Sequence, residues 1–268
     1  MTVPAPYSSP AAWWAGPERV YEALSRGALA HHAAELEGRR VLDLGAGVGA
    51  TSRVVGEAGG RPVALDASWP MLHHRRRRRP PSIVGDACAL PLADHSVGAT
   101  VAAFVLSHVG DPVTLLREAG RVTTPGGAVV AVSFARTETR PAVVGIVDGL
   151  LMDRGWRPPP WFRLMKDERE PVVADPDRLA SMAGAAGLDA PEVVTRQVDT
   201  GIDDPVDLVA WRLGSPASAA FIAGLPVTER RRLRTEAVDR LGPSPQSLVL
   251  ELRVLSSRAA ATRRSVSA

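Results

Sequence analysis

The sequence predicts an α/β fold in which a mostly parallel sheet carries helices on both faces. Three observations lead there. Short apolar runs (Val41–Leu44, Val63–Leu65, Ile83–Val84, Ala99–Val105 and Ala128–Phe134) alternate with segments of helical spacing about a dozen residues long, the rhythm of βαβ units. The first run breaks into a turn holding Gly45, Gly47 and Gly49 before the chain re-enters a helix, roughly Ala50 to Glu57. An acid stands at the end of the first three runs: Asp43, Asp66 and Asp86. The 268 residues suit one large α/β domain, or one domain with a cap, and 45% hydrophobic content suffices for a core.

Taken in order, residues 1–15 are rich in Pro, Ser and Ala and read as a partly ordered arm carrying Tyr7, Trp13 and Trp14. Apolar spacing at Val20, Leu24, Ala28 and Leu29 predicts one or two helices over Pro17–Glu35, with His31 and His32 as solvated helix-end groups. After the glycine turn comes a second strand, Arg61–Ala67. Ser68 is placed to cap a helix bearing Met71 and Leu72, which runs on through His73–Arg79 to Pro80 and Pro81. A loop, Leu90–Asp94, precedes the fourth strand. Asp111 caps a helix over Pro112–Val122, stopped before Pro125, Gly126 and Gly127. Residues 136–175 break the rhythm with Met152, Trp156, three prolines, Trp161, Phe162 and Met165, and read as a lid. A helix over Asp177–Ala186 ends at Gly187, and 191–200 make a sixth strand. Residues 205–241 are helical, with Trp211 and Phe221, in pieces broken at Pro216 and Pro226. An alternating stretch, Gln246–Leu255, is a seventh and antiparallel strand. The tail after Ser256 frays.

Composition narrows the function classes. The net charge is only +3, and the basic residues are almost all arginine, Lys166 being the sole lysine. The run Arg75–Arg79 would favour phosphates, but it sits at one predicted helix end and reads as a solvated face. One cysteine, Cys88, leaves no intrachain disulfide and fits a reducing, cytoplasmic compartment. No run of about 18 apolar residues is present to span a membrane, and Met1–Pro10 lacks a signal-peptide pattern. No cluster has metal-ligand spacing.

Parallel sheets of this kind bind ligands at the carboxyl ends of their strands. The glycine turn alone fits either a dinucleotide or another nucleoside cofactor. Asp43 would meet a pyrophosphate with like charge, which is unfavourable in a low-dielectric site, and suits a cationic ligand end instead. Asp66 could accept from ribose hydroxyls in either case. Asp86 has no part in a dinucleotide fingerprint but could accept an adenine amino group.

Five segments in order carry a resemblance: 40–49 (RVLDLGAGVG), 63–68 (VALDAS), 85–94 (GDACALPLAD), 104–112 (FVLSHVGDP) and 121–127 (RVTTPGG). Together they resemble the successive motifs of class I S-adenosyl-L-methionine-dependent methyltransferases, in the small-molecule branch of ubiquinone/menaquinone-type and natural-product enzymes, across about residues 38–134. That resemblance implies a Rossmann-like, seven-stranded sheet with helical lid insertions. It implies that Gly45, Ala46 and Gly47 approach the methionine part of the cofactor, with Asp43 supporting its ammonium. Asp66 would hold the ribose, Ala67 and Met71 border the adenine, Asp86 and Ala87 meet the adenine edge, and the backbone of Ala103 accept from the ammonium. S-adenosyl-L-homocysteine would be the product. His108, after the fourth strand, is the candidate base. In phosphoethanolamine-type relatives the matching histidine works with an acid four residues earlier, where this sequence has Phe104.

The expected reaction is transfer of a methyl group to a small, largely apolar molecule at O, N or C, with no metal, nucleic acid or membrane partner, by a monomer or homodimer. Tyr7, Trp14, Trp156, Trp161, Phe162 and Trp211 are the candidate substrate contacts. Tyr21 is a further aromatic that could fold over the cofactor. The expected organisation is an N-terminal helical arm (1–37), a cofactor-binding core (38–135), a lid insertion (136–175), the rest of the sheet with a helical cap at 205–241 (176–256) and a flexible tail (257–268). Alternatives are non-methylating chemistry such as cyclisation on the same fold, an RNA methyltransferase, and an NAD-linked oxidoreductase. The last leaves Asp86 and the Pro-Gly-Gly turn unexplained.

Overall fold

A computed structural model describes residues 15–74, 77, 79–137, 140–243 and 246–261. Tyr7 and Trp14, two of the expected substrate contacts, lie outside the described residues.

The chain opens with α1 (Ala15–Leu29), a 3₁₀ turn at Ala30–His32 and α2 (Ala33–Leu36). Then come β1 (Arg40–Leu44), α3 (Ala50–Glu57), β2 (Arg61–Asp66), α4 (Trp69–His73), β3 (Ser82–Val84), β4 (Val97–Ala103), α5 (Pro112–Val122) and β5 (Thr123–Phe134). Four helices follow: α6 (Ala142–Asp153), α7 (Pro160–Leu164), α8 (Glu170–Ala174) and α9 (Pro176–Ala185). A π-helical turn, Met165–Arg169, joins α7 to α8. The fold closes with β6 (Asp189–Asp199), α10 (Pro205–Leu213), α11 (Pro216–Gly224), α12 (Val227–Leu241) and β7 (Val249–Arg258).

The seven strands form one sheet in the order β3-β2-β1-β4-β5-β7-β6. The first five are parallel, and β7 runs antiparallel to both of its neighbours. The expected α/β class and the antiparallel last strand are therefore both present. Central strands read as unbroken apolar runs because both faces are covered. Alternate residues divide between two cores. Val41, Val101, Val130 and Val132 join α1, α3, α6 and α10–α12 on one face. Leu42, Leu44, Ala102, Val129 and Ala131 join α5, α8 and α9 on the other. Asp43 shares its face with Val41, and so points toward α3 in a row that is otherwise apolar.

Several boundaries depart from the sequence reading for identifiable reasons. β4 ends at Ala103, two residues early, because Phe104 turns into the left-handed region (φ 59°). β5 begins at Thr123, directly after α5. Its register to β4 shifts between Val97 and Ala99, so Pro125–Gly127 is a bulge inside a strand rather than a turn before one. α4 stops at His73, where His74 leaves the helical region (ψ 124°), instead of running on unbroken to the prolines; like charges one turn apart disfavour its continuation. His32 is not solvated: Nδ1 lies 2.7 Å from Glu35 and Nε2 3.1 Å from Ser256 Oγ, tying α2 to β7.

Segment 142–174 is helical except for 154–159. α6 packs with α1, α10 and α12 on the first face, while α8 supports the second, where Ser133 Oγ donates to Val173 O at 2.7 Å. The intervening 160–169 carries the chain across, past the 3₁₀ turn at Leu106–His108 that follows β4. Trp156, expected as a substrate contact, is a core residue: it is buried, and its indole N–H donates to Ala217 O at 3.2 Å.

Candidate active site

The carboxyl ends of β1, β2 and β4 bring the predicted residues together. In the loop after β1, Gly45, Gly47 and Gly49 all have positive φ (70°, 51° and 91°). Gly45 admits nothing larger, since a Cβ there would come within 2.5 Å of Val105 Cγ2. Four of the loop amides are already engaged. Gly45 and Ala46 N–H both donate to Leu65 O, at 2.8 and 3.0 Å. Gly49 N–H donates to Ala46 O, and Gly47 N–H donates to Asp66 Oδ2 at 2.8 Å.

Asp66 also accepts from Ser68 N–H at 2.7 Å, and Ser68 Oγ in turn caps α4 by accepting from Met71 N–H. The acid thus clamps the glycine loop to α4. Each of its oxygens keeps a lone pair for a further donor. Asp43 is fully buried and accepts from Ser52 Oγ at 2.5 Å. Burial, together with the like charge of Asp66, raises its pKa to about 6 against the hydrogen bond from Ser52 and the charge of Arg79. Burial raises Asp66 as well, opposed by its two backbone donors. Two acids held with elevated pKa values along one sheet edge form a site whose need is positive charge.

Asp86 follows β3 and accepts from Cys88 N–H at 2.9 Å, which fixes the turn that buries Ala87. Met71 is buried with its terminal methyl over Gly47, 3.4 Å from where a Cβ would stand. Ala103 closes β4. The next residue, Phe104, holds its strained backbone by donating to Val132 O at 2.7 Å. Its ring meets Phe134 (centroids 4.9 Å apart) and Tyr21 of α1 (5.1 Å). Burial, then the charge of Glu170, pushes the Tyr21 phenol up to about 12 despite Arg212, so it stays protonated. Trp161, Phe162 and Trp211 pack on the rim of the same core as Phe104 and Phe134, and Trp161 and Phe162 meet edge to face.

His108 is half-buried beneath the π-helical turn, where Arg169 reaches its carbonyl at 3.5 Å. Burial first, and then the charges of Lys166 and Arg169, lower its pKa to about 4. Its imidazole is neutral at neutral pH.

Sequence reasoning missed Ser52, Phe134 and Arg79. Ser52 was signalled only as a polar residue on the buried face of α3. Phe134 was read merely as a strand end. Arg79 was read as part of a solvated charge run. Instead it is half-buried, with Nη2 donating to Gly47 O at 2.6 Å.

Residues 42–131 match a family model described as "Methyltransferase domain". That segment is similar to a methyltransferase domain. The match ends within β5, so the helices on either side of the matched segment are described by the structure alone. A demethylmenaquinone methyltransferase of Renibacterium salmoninarum is 47% identical over 100 residues, 37% of this chain and 42% of that protein. One from Paenarthrobacter aurescens is 45% identical over 100 residues, 37% of this chain and 40% of that protein. The chain therefore spans about two fifths of the length of these curated relatives. Among solved structures, a SAM-dependent methyltransferase of Thermotoga maritima superposes with a TM-score of 0.51 at 16% identity, over 90% of this chain and 91% of that one. The [4+2]-cyclase SpnF superposes with a TM-score of 0.50 at 18% identity, over 87% and 81%. At these identities the likeness shows the fold alone. No helix among the described residues is long and apolar enough to cross a membrane.

Proposed function

We propose that the chain binds S-adenosyl-L-methionine over the β1 loop and transfers its methyl group to a small, largely apolar acceptor. The observation that carries this reading is the pair of acids, buried Asp43 and half-buried Asp66, beside a loop in which the amides of Gly45, Ala46, Gly47 and Gly49 are already paired. A diphosphate needs free N–H groups and no facing carboxylate; a ligand with an ammonium and a sulfonium needs the reverse. The bound cofactor would supply an electrophilic methyl carbon on positively charged sulfur.

The chain's own residues have three tasks. Asp43 and the Ala103 carbonyl orient the amino-acid end, Asp66 the ribose, and Asp86 with Ala87 the adenine edge. Tyr21, Phe104, Phe134, Trp161, Phe162 and Trp211 form an apolar cluster beside them, and would take the acceptor under a lid of 136–175 and the helical cap at 205–241. The cluster's service is alignment and exclusion of water, which is most of what an in-line displacement requires. With a pKa near 4, His108 is too weak a base to hold a proton from a phenol or amine at neutral pH. It serves as a neutral hydrogen-bond acceptor that orients an O–H or N–H of the acceptor. The quinone-methylating relatives support an aromatic acceptor of quinol type, and the single thiol supports a cytoplasmic setting.

Titration calorimetry with S-adenosyl-L-homocysteine, with NAD⁺ as the control, tests the cofactor. Binding of NAD⁺ and not of the thioether nucleoside would overturn the reading. Incubation with S-adenosyl-L-methionine and a panel of quinols and phenols, followed by mass spectrometry, tests the reaction. The product must gain one methylene unit, whereas an isomer of unchanged mass would point to cyclisation.

A further inference from the structure

Arg79 reaches the glycine loop from the turn before β3. Its Nη2 donates to Gly47 O at 2.6 Å, and a Cβ on Gly49 would stand 2.9 Å from the same nitrogen. Its other two donor positions, Nε and Nη1, are buried and have no hydrogen-bond partner among the described residues. A guanidinium taken from water with most of its donors unanswered is costly. What keeps it there is charge: both Asp43 and Asp66 act on Arg79 electrostatically. Arg53, close by, is no substitute, since it is paired with Glu18 and Glu22 of α1. Along the same side chain lies a cavity of about 320 Å³ lined by Val48, Gly49, Ser52, Arg53, Pro62 and Pro80.

We infer that Arg79 is the protein's own counter-cation in this cleft, and that the positively charged cofactor takes its place by an exchange of one cation for another. This rests on the cofactor assignment made above. Hydrogen bonds from Ser52, Gly47 and Ser68 do not neutralise ionised Asp43 and Asp66, and uncompensated charge so shielded from water is costly. Before the ligand arrives, Arg79 answers them at the expense of its own hydrogen bonds. When an ammonium enters near Asp43, the guanidinium is released from Gly47 O into the neighbouring cavity, where water can satisfy Nε and Nη1. Part of the binding free energy is spent on that release, so Arg79 weakens cofactor affinity and keeps the loop closed until a cation competes for it.

The test is calorimetric titration of S-adenosyl-L-homocysteine into the full chain and into Arg79→Gln. The variant keeps an amide donor for Gly47 O but no charge. Removal of a half-buried, screened charge is expected to tighten binding roughly three- to tenfold. Unchanged or weaker binding by Arg79→Gln, beside a wild type that binds, overturns the exchange and leaves the cofactor assignment standing. Absence of binding by both proteins overturns the cofactor assignment and the exchange with it. Should Arg79→Gln fail to fold, the wild type carries the test. The Arg79 Nε–H resonance, identified by its loss in Arg79→Lys, should exchange slowly with solvent in the free protein and fast at saturation with S-adenosyl-L-homocysteine. A signal that stays slow overturns the proposal.

Discussion

Removing the Asp66 carboxylate takes away two hydrogen bonds that the protein makes with itself, from Gly47 N–H and Ser68 N–H, as well as those proposed to a ribose. Asp66→Ala is therefore expected to weaken S-adenosyl-L-homocysteine about 10- to 100-fold, the worth of one or two hydrogen bonds to a charged group. The melting temperature should fall by only a few degrees, since the clamped loop is local. Calorimetry beside a thermal melt separates the two effects, and unaltered affinity would reject Asp66 as a ligand group. His108 makes a different demand. A group with a pKa near 4 contributes no inflection to the rate between pH 6 and pH 8. The kcat profile of the wild type should show no histidine-like step there, and His108→Gln should lower kcat with little change in cofactor affinity. A step near pH 6.5 that vanishes in His108→Gln would restore His108 as a titrating base.

Elements differ in how openly the sequence declares them. β1, α3 and α5 could be read to the residue or nearly so, because a doubly covered strand is an apolar run and because Gly49 and Asp111 mark helix starts. Pro125–Gly127 was read correctly as a bend but not as a bulge within β5, since only the pairing of Thr123 with Val97 makes it part of a strand. The three acids were legible because they close apolar runs. Arg79 was not, because a run of five arginines gives no sign of which one turns inward. Trp156 was misassigned for a related reason: an aromatic in a proline-rich insertion looks the same in sequence whether it faces a ligand or a neighbouring helix. Its burial between α6 and α11 leads to a contrast. Trp156→Phe should cost about 1 kcal/mol for the lost hydrogen bond and leave turnover intact, while Trp156→Ala should cost about 3–5 kcal/mol through the cavity it opens. Chemical denaturation with parallel turnover assays measures both. A turnover defect in Trp156→Phe without loss of stability would return this side chain to the substrate.

At the scale of the whole molecule, two groups with shifted pKa values, buried Asp43 and half-buried His108, titrate against each other. In the free protein Asp43 sits at about 6, above its ordinary 3.8. The fold then binds a proton more tightly than the unfolded chain does, so this group's contribution to stability is full below about pH 3.8 and is lost as pH rises through 6. His108 sits at about 4, below its ordinary 6.5. Its contribution is full above 6.5 and is lost as pH falls toward 4. Each amounts to roughly 3 kcal/mol, as an order of magnitude, across nearly the same window. Since the signs oppose, the two nearly cancel in the wild type between pH 4 and pH 6.5. Either substitution should unmask the other group. Asp43→Asn keeps an acceptor for Ser52 and removes the Asp43 slope. Its stability should climb with pH up to about 6.5, and at pH 7.5 it should exceed that of the wild type. His108→Gln should show the opposite trend, losing stability as pH rises from 4 to 6. Urea unfolding at half-unit steps of pH reads both slopes; parallel profiles for the two variants would exclude the opposition. Ligand binding breaks the balance. A cation beside Asp43 favours its ionised form, so the rise in melting temperature produced by S-adenosyl-L-homocysteine should be larger at pH 7.5 than at pH 5 in the wild type and independent of pH in Asp43→Asn.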